Sequence, residues 1–228
     1  ENKDINLVAI LTRHSSHARL ILQALTAGKH VFCEKPMAIT SEELAGIQAY
    51  LNSKPNSLLT IGFNRRFAPL AIRLKDFFSN SGEPISMHYR VNAGPLPLSH
   101  WLHDPLVGGG RIIGEGCHFI DFLTFLTGSQ PISVSATGLP DSGIYSHDNL
   151  HLTYTFSDGS IGTITYLANG DKSFTKERVE VFSAGRIGVL DDFRTLEFVR
   201  DGRRRMLKSH LRQDKGHAGL WKAFLAAI

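Results

Sequence analysis

Three short stretches of the sequence carry residue types able to do chemistry. The first is Glu34-Lys35-Pro36, directly after the apolar run His30–Cys33. If that run is a strand of a parallel sheet, the lysine stands at its carboxyl end, where open α/β sheets bind ligands. Pro36 stiffens the turn and is a candidate for a cis bond. A lysine here either meets a ligand or is a solvent-exposed turn residue, and position alone leaves both open. The second stretch is Thr12-Arg13-His14-Ser15-Ser16-His17. Hydroxyl and backbone donors at a helix start suit an anion or a cofactor sugar, while helix capping accounts for the serines equally well. A metal pair from His14 and His17 is disfavoured because no carboxylate or cysteine lies nearby in sequence, and no metal site is expected.

The third stretch runs from Gly108-Gly109-Gly110-Arg111 through Glu115 and His118 to Asp121. On a helix, Glu115, His118 and Asp121 are spaced by three and share one face. The rest of that helix is apolar: Ile113, Phe119, Ile120, Leu123 and Phe125. Two explanations stand. Either Asp121 orients or pairs with His118 as a structural feature, or the group is a proton-transfer site, since imidazole titrates near neutral pH and a neighbouring carboxylate tunes it. The glycine run, which lets backbone approach a ligand closely, favours the second.

The elements that must position these groups follow from periodicity. Ile5–Leu11, His30–Cys33 and Leu58–Phe63 are short apolar runs suited to strands of a parallel sheet. Between them lie two helices. One starts near Ser16, with Ser15 or Ser16 as its cap and a stripe of Leu20, Ile21, Ala24 and Leu25, and Gly28 stops it. The other opens on the capping box Thr40-Ser41-Glu42-Glu43 and runs to about Asn52. After Phe63 come a helix over Pro69–Ser79, a strand over Ile85–Asn92, a long glycine- and proline-bearing loop to about residue 111, and a helix over Ile112–Leu126. From Ile132 onward the pattern is β, with strands at 150–156, 161–167, 178–183, 187–191, 195–200 and 203–208 joined by tight turns such as Ser157-Asp158-Gly159-Ser160. The expected fold is α/β plus α+β. Residues 1–63 form the second part of a Rossmann-type parallel sheet, and residues 64–228 form an α/β domain with a largely antiparallel open sheet, helix 112–126 lying near the junction.

Composition narrows the class of protein. The 228 residues are 42% hydrophobic and carry 25 Lys+Arg against 21 Asp+Glu, a formal charge of +4. That favours a globular chain with a core of its own over disorder or a disulfide scaffold. The charge is too small and too interspersed to argue for nucleic acid. The densest basic stretch, Arg200–Arg212, reads as a solvated hairpin arm after the Asp201-Gly202 turn, because no aromatic platform is interleaved with it. No apolar run is long enough to span a membrane, and the polar start Glu1–Asp4 is not a secretory signal. Cys33 and Cys117 each lie in an apolar segment, so a reducing cytoplasm is the expected location. The chain begins without Met and ends in an apolar helical run, so the expectation is a piece of a longer polypeptide.

Taken in order, these motifs resemble the Gfo/Idh/MocA family. The resemblance rests on Val8-Ala9-Ile10-Leu11-Thr12, on Ala24-Leu25-Thr26-Ala27-Gly28-Lys29-His30-Val31 leading into Glu34-Lys35-Pro36, on Gly62–Pro69, and on the triple glycine followed by His118 and Asp121. It implies an oxidoreductase that uses NAD or NADP with a sugar, cyclitol or nucleotide-sugar alcohol, and that forms homo-oligomers through the antiparallel sheet. It further implies that Lys35 contacts the substrate hydroxyl and the nicotinamide ribose, and that His118 exchanges the hydroxyl proton. Glu34 and Pro36 would shape the cofactor turn, with Thr12, His14 and His17 near the cofactor. Arg66, Trp101, Arg111 and His118 are candidates to line the substrate pocket, although Trp101 serves equally as loop packing and the arginines as ion pairs.

Two departures from the family pattern stand out. The family often carries Asp four residues before the histidine. Here that position is Gly114, with Glu115 beside it as a candidate replacement in proton transfer. The Gly-Glu form resembles a branch in which this module follows a zinc-type alcohol-dehydrogenase-like module, often associated with surface polysaccharide synthesis. No G-x-G-x-x-G occurs in these residues, so this stretch alone is expected to bind dinucleotide weakly or not at all. The competing expectations are a non-catalytic sugar- or nucleotide-sensing protein on the same scaffold, and an oligomerisation module.

Overall fold

The structure, a computed structural model, describes residues 2–141, 143–209 and 212–228. Glu1 of the polar start and residues 210–211 of the basic stretch lie outside the described residues.

The described residues form a three-stranded parallel sheet and an eight-stranded, mostly antiparallel one. In the first, β1 (Leu7–Ile10), β2 (His30–Cys33) and β3 (Leu59–Ile61) lie in sequence order. They are linked by α1 (His17–Thr26) and α2 (Ser41–Ser53). Ile21, Leu25, Val31, Cys33 and Ile47 form its core, each at most 3% exposed. Gly28, at φ +72°, ends α1 in the left-handed conformation that glycine adopts without strain.

The helix starts differ in detail from the expected caps. Thr40 does cap α2, its hydroxyl accepting from the Glu43 N–H at 3.2 Å. Glu43 reaches back one residue further than a capping box requires, accepting from the Ile39 N–H at 2.9 Å. Neither Ser15 nor Ser16 caps α1. A 3-10 turn over His14–Ser16 precedes the helix, and the Ser16 hydroxyl donates to the Arg13 carbonyl instead.

The second sheet is preceded by α3 (Pro69–Phe78) and begins with β4 (Ser86–Asn92). The chain then passes through α4 (Cys117–Thr127) to a run of strands: β5 (Pro131–Gly138), β6 (Asn149–Phe156), β7 (Ile161–Leu167), β8 (Glu177–Ser183), β9 (Arg186–Asp191), β10 (Thr195–Arg200) and β11 (Arg203–Lys208). Their order is β11-β10-β9-β8-β4-β7-β6-β5, with only the β4–β7 pair parallel. One face is covered. Tyr89 of β4 packs edge-on to Phe119 and Phe122 of α4, and α3 lies over β9 and β10. On the other face Ile161 and Phe182, both register partners of Ser86, are 49% and 38% exposed.

The helix expected over Ile112–Leu126 is not uniform. Residues Ile112–Gly116 form a π turn, with i→i+5 bonding, and only from Cys117 is the helix α. The three-residue spacing therefore holds for His118 and Asp121 within the α-helix, whereas Glu115 lies in the π turn before it.

Two compact units result, and they interleave along the chain. Glu1–Phe63, Ser99–His118 and Ala218–Ile228 form one; Asn64–Leu98 and Phe119–His217 form the other. The expected boundary at residue 63 is thus the first of several crossings. Ser99–His118 returns because Ser15 N–H donates to the Val107 carbonyl and His14 meets Gly108. The last helix, α5 (His217–Ala226), returns because Trp221 stacks on Phe32 of β2, centroids 4.2 Å apart.

Candidate functional site

Parallel strands deliver their carboxyl ends to one edge, and the loops that leave β1 and β2 there carry the candidates His14, Glu34 and Lys35. Lys35 follows β2 directly, its peptide bond to Pro36 cis. Its half-buried ammonium donates to the carbonyl of Gly114 at 2.6 Å, 79 residues away in sequence. Glu34 sits against Gly62, where a Cβ would come within 2.7 Å of the carboxylate, so the glycine after β3 makes room for the acid after β2.

The β1 loop is built around two histidines. His14 is 7% exposed, with Nδ1 2.8 Å from the Gly108 carbonyl and the ring edge-on to Trp101 at 4.8 Å. A nitrogen facing a carbonyl carries the proton, which leaves Nε2 as the acceptor. Burial lowers the His14 pKa below its ordinary value, and the charges of Lys35 and His17 act in the same direction against the Gly108 hydrogen bond. His17 is fully buried, its Nδ1 2.7 Å from the Pro36 carbonyl and its Nε2 3.0 Å from the Thr12 carbonyl. It ties the β1 loop to the Lys35-Pro36 turn. Thr12 is exposed, its hydroxyl 2.6 Å from that of Ser16.

The glycine run lets a third segment reach this place. Gly109 and Gly110 take φ of +76° and +85°. At Gly108 a Cβ would stand 2.5 Å from Leu102 backbone, so no side chain fits. At Gly114 a Cβ would meet Leu102 Cδ1 at 2.7 Å and His14 Cε1 at 2.9 Å. The space beside Lys35 that a side chain at 114 would need is thus occupied by the His14 ring. Arg111 is 3% exposed and pairs with Glu115 at 3.5 Å. His118, 8% exposed, stands edge-on to Phe63 with centroids 6.1 Å apart.

The structure thus gathers Lys35, His14, His17, Trp101 and the Gly114 carbonyl. Asp121 of α4 is in a bidentate ion pair with Arg66: Arg66 Nε donates at 3.0 Å, and a second, shorter contact joins the other oxygen. For Arg66 the structure thus shows the ion pair that stood as the alternative to lining a substrate pocket. Sequence reasoning missed the contact between His14 and Gly108 and the Gly114 carbonyl as an acceptor. The one signal available was the glycine density at 108–116.

The residues present fit one end of a dinucleotide. At the strand ends they offer an exposed hydroxyl on Thr12, an ammonium on Lys35 and a carboxylate on Glu34, a donor and acceptor set suited to ribose hydroxyls. Among the described residues, no three His, Cys, Asp or Glu side chains group so as to hold a metal ion, and no helix is long and apolar enough to cross a membrane.

Comparison with known proteins bears on the family and the fold. Residues 1–63 match the Gfo/Idh/MocA model described as an oxidoreductase family with an NAD-binding Rossmann fold, and residues 80–187 match the model of the family's C-terminal domain. The uncharacterized oxidoreductase YrbE of Bacillus subtilis (strain 168) is 29% identical over 200 residues, covering 84% of this chain and 57% of that protein. Inositol 2-dehydrogenase 2 of Paenarthrobacter aurescens (strain TC1) is 29% identical over 217 residues, covering 89% of this chain and 62% of that protein. The chain therefore spans less than two thirds of either relative. In fold it is similar to an inositol dehydrogenase homologue from Azotobacter vinelandii solved with NAD+, at a TM-score of 0.80 and 18% identity over 96% of this chain and 61% of that one.

Proposed function

We propose that this chain, a member of the Gfo/Idh/MocA family, belongs to an NAD- or NADP-dependent dehydrogenase that oxidises or reduces an alcohol carbon of a sugar, cyclitol or nucleotide sugar. The observation that carries the reading is Lys35. Its ammonium is half-buried, fixed on the Gly114 carbonyl and set beside a buried histidine, at the strand end where this fold binds ligands.

A fixed ammonium in a partly dehydrated site stabilises negative charge developing on a substrate oxygen. His118, four residues after Gly114, is assigned to take or return the hydroxyl proton, as an imidazole does most effectively near neutral pH. His14, kept neutral by burial and by the nearby Lys35, presents its Nε2 acceptor without adding a charge that would repel the ammonium. His17 positions the Lys35-Pro36 turn through its two carbonyl contacts. Glu115 is assigned to hold Arg111, and Trp101 to back His14. A bound nicotinamide supplies the hydride chemistry.

The test is made on the whole protein, following NAD+ or NADP+ reduction with a panel of cyclitols and sugars, myo-inositol first. Lys35→Ala and His118→Ala should each lower kcat/KM by about 100-fold or more with unchanged circular dichroism. His118→Ala should also flatten the pH profile near neutrality. Turnover that survives Lys35→Ala would overturn the catalytic assignment and favour a sensing protein on this scaffold.

The uncovered face of the eight-stranded sheet supports a further part of this reading. Phe182 and Ile161 flank Ser86 there with large apolar surfaces in water, as in a face that pairs with a second copy of the chain. Phe182→Lys with Ile161→Lys should lower the mass measured by light scattering to that of the monomer. An unchanged mass would remove the assignment.

A further inference from the structure

We propose that the cleft between α3 and the β10–β11 hairpin binds a nucleoside polyphosphate, its ring on Phe77 and Phe198 and its phosphates on Arg200, Arg203 and Arg205. This site lies outside the dehydrogenase reading and does not depend on it. In sequence, the arginines of 200–205 have no aromatic residue among them, which favours a solvated arm. The fold supplies what the sequence interval lacks. In the antiparallel register Arg200 lies opposite Arg203 and Phe198 opposite Arg205, so these four side chains leave the pleat on one face. Helix α3 lies over β10 and brings Phe77 to that face, its ring 4.4 Å from Phe198 and tilted by 36°. Arg73 of α3 lines the same cleft, whose volume of ≈ 620 Å³ falls within the about 300–1,000 Å³ usual for small-molecule sites.

Charge and exposure fit the same ligand. Arg73, Arg203 and Arg205 are exposed and make no ion pair among the described residues. The carboxylates near them are few. Asp201 is held by Arg200 at 3.2 Å, Glu197 on the opposite face is held by Arg204 at 3.2 Å, and Asp76 of α3 is the one carboxylate among the residues lining the cleft. Strand pairing sets residues 200 and 203 opposite each other on one face, so an anion that bridges their guanidiniums offsets the like charges gathered there. A guanidinium meets phosphate oxygens in a bidentate fork. Phe77 and Phe198 are only half-buried and offer one aromatic platform. One platform suits one base, whereas a single-stranded nucleic acid is held by successive platforms.

The test is calorimetric titration of the chain at low salt with ATP, with inorganic triphosphate and with a ten-residue oligothymidylate. ATP should bind, and Arg203→Glu with Arg205→Glu should weaken it by about tenfold or more. Arg73→Glu, on a different element, should weaken it in the same direction. Phe198→Leu should weaken ATP while leaving triphosphate unchanged. Absence of ATP binding, equal affinity in the charge-reversed proteins, equal affinity for ATP and triphosphate, or tighter binding of the oligonucleotide than of ATP would each overturn the proposal.

Discussion

Position 114 shows how one missing side chain organises a site. The His14 ring and Leu102 fill the space next to it, and the carbonyl left on the backbone receives Lys35. Gly114→Asp should therefore destabilise the protein by about 1–3 kcal/mol in urea denaturation, as overpacking does. Adding His14→Ala should recover part of that loss, because the two sites share one space. His14 itself has a pH signature. A histidine whose pKa is lower in the fold than in the unfolded chain binds fewer protons when folded, so its stabilising contribution is complete above about pH 6.5 and declines as pH falls toward the folded value. The urea midpoint of the protein should fall more between pH 7 and pH 5.5 than that of His14→Gln. Cys33 behaves oppositely: burial, and then the charge of Glu34, push its thiol up to about 12. Mass spectrometry after iodoacetamide treatment of the native protein at pH 8 should find Cys33 unmodified, since the thiolate is the reactive form.

Among the elements, the helices and strands were largely legible because each is set by neighbours in sequence. The Thr40 cap is a case in point: hydroxyl and acceptor N–H are three residues apart, so composition and spacing suffice to find it. Thr40→Ala should lower stability by about 1 kcal/mol in chemical denaturation with an unchanged m-value, and Thr40→Ser should restore most of it. The π turn at Ile112–Gly116 was not legible. A single irregular turn leaves no period to read, and its form depends on the glycines before it and on the side chains packed against Gly114. The absent serine caps on α1 have a similar cause, since Thr12 and the Arg13 carbonyl compete for the Ser16 hydroxyl.

On the scale of the whole molecule, Glu177 joins the most distant parts of the second unit. Its carboxylate, on a side chain 1% exposed, accepts two bonds from Arg65 at 2.7 and 2.9 Å, one from Tyr89 at 2.5 Å and one from Lys215 at 2.6 Å. Burial alone would push the acid up, but the charge and hydrogen bonds of Arg65, and then of Lys215, hold it below the usual carboxylate range. The folded protein thus binds fewer protons at this group than the unfolded chain does. Its contribution is present above about pH 4.3 and is lost as pH falls toward the folded value. Glu177→Gln should cost about 3–5 kcal/mol, because buried Arg65 loses its counter-charge, and should make stability less dependent on pH below about 4. Urea denaturation between pH 3 and pH 7 checks both parts.

The sequence by itself determined the sequence-local features: the alternation of strand and helix through residue 63, the hairpin strands after residue 149, the Thr40 cap, the Gly28 stop, and the position of Lys35 after a parallel strand. Tertiary structure alone decided the partners. Lys35 meets Gly114 across 79 residues and His14 meets Gly108 across 94, while Asp121 goes to Arg66 and Phe77 to Phe198. The same separation places residues 99–118 and α5 with the first unit. Backbone propensity and side-chain period act over a few residues, so they can be read along the chain. A carbonyl without a partner or a ring with one open face takes whatever the packing of distant segments brings to it, and no local pattern records that choice.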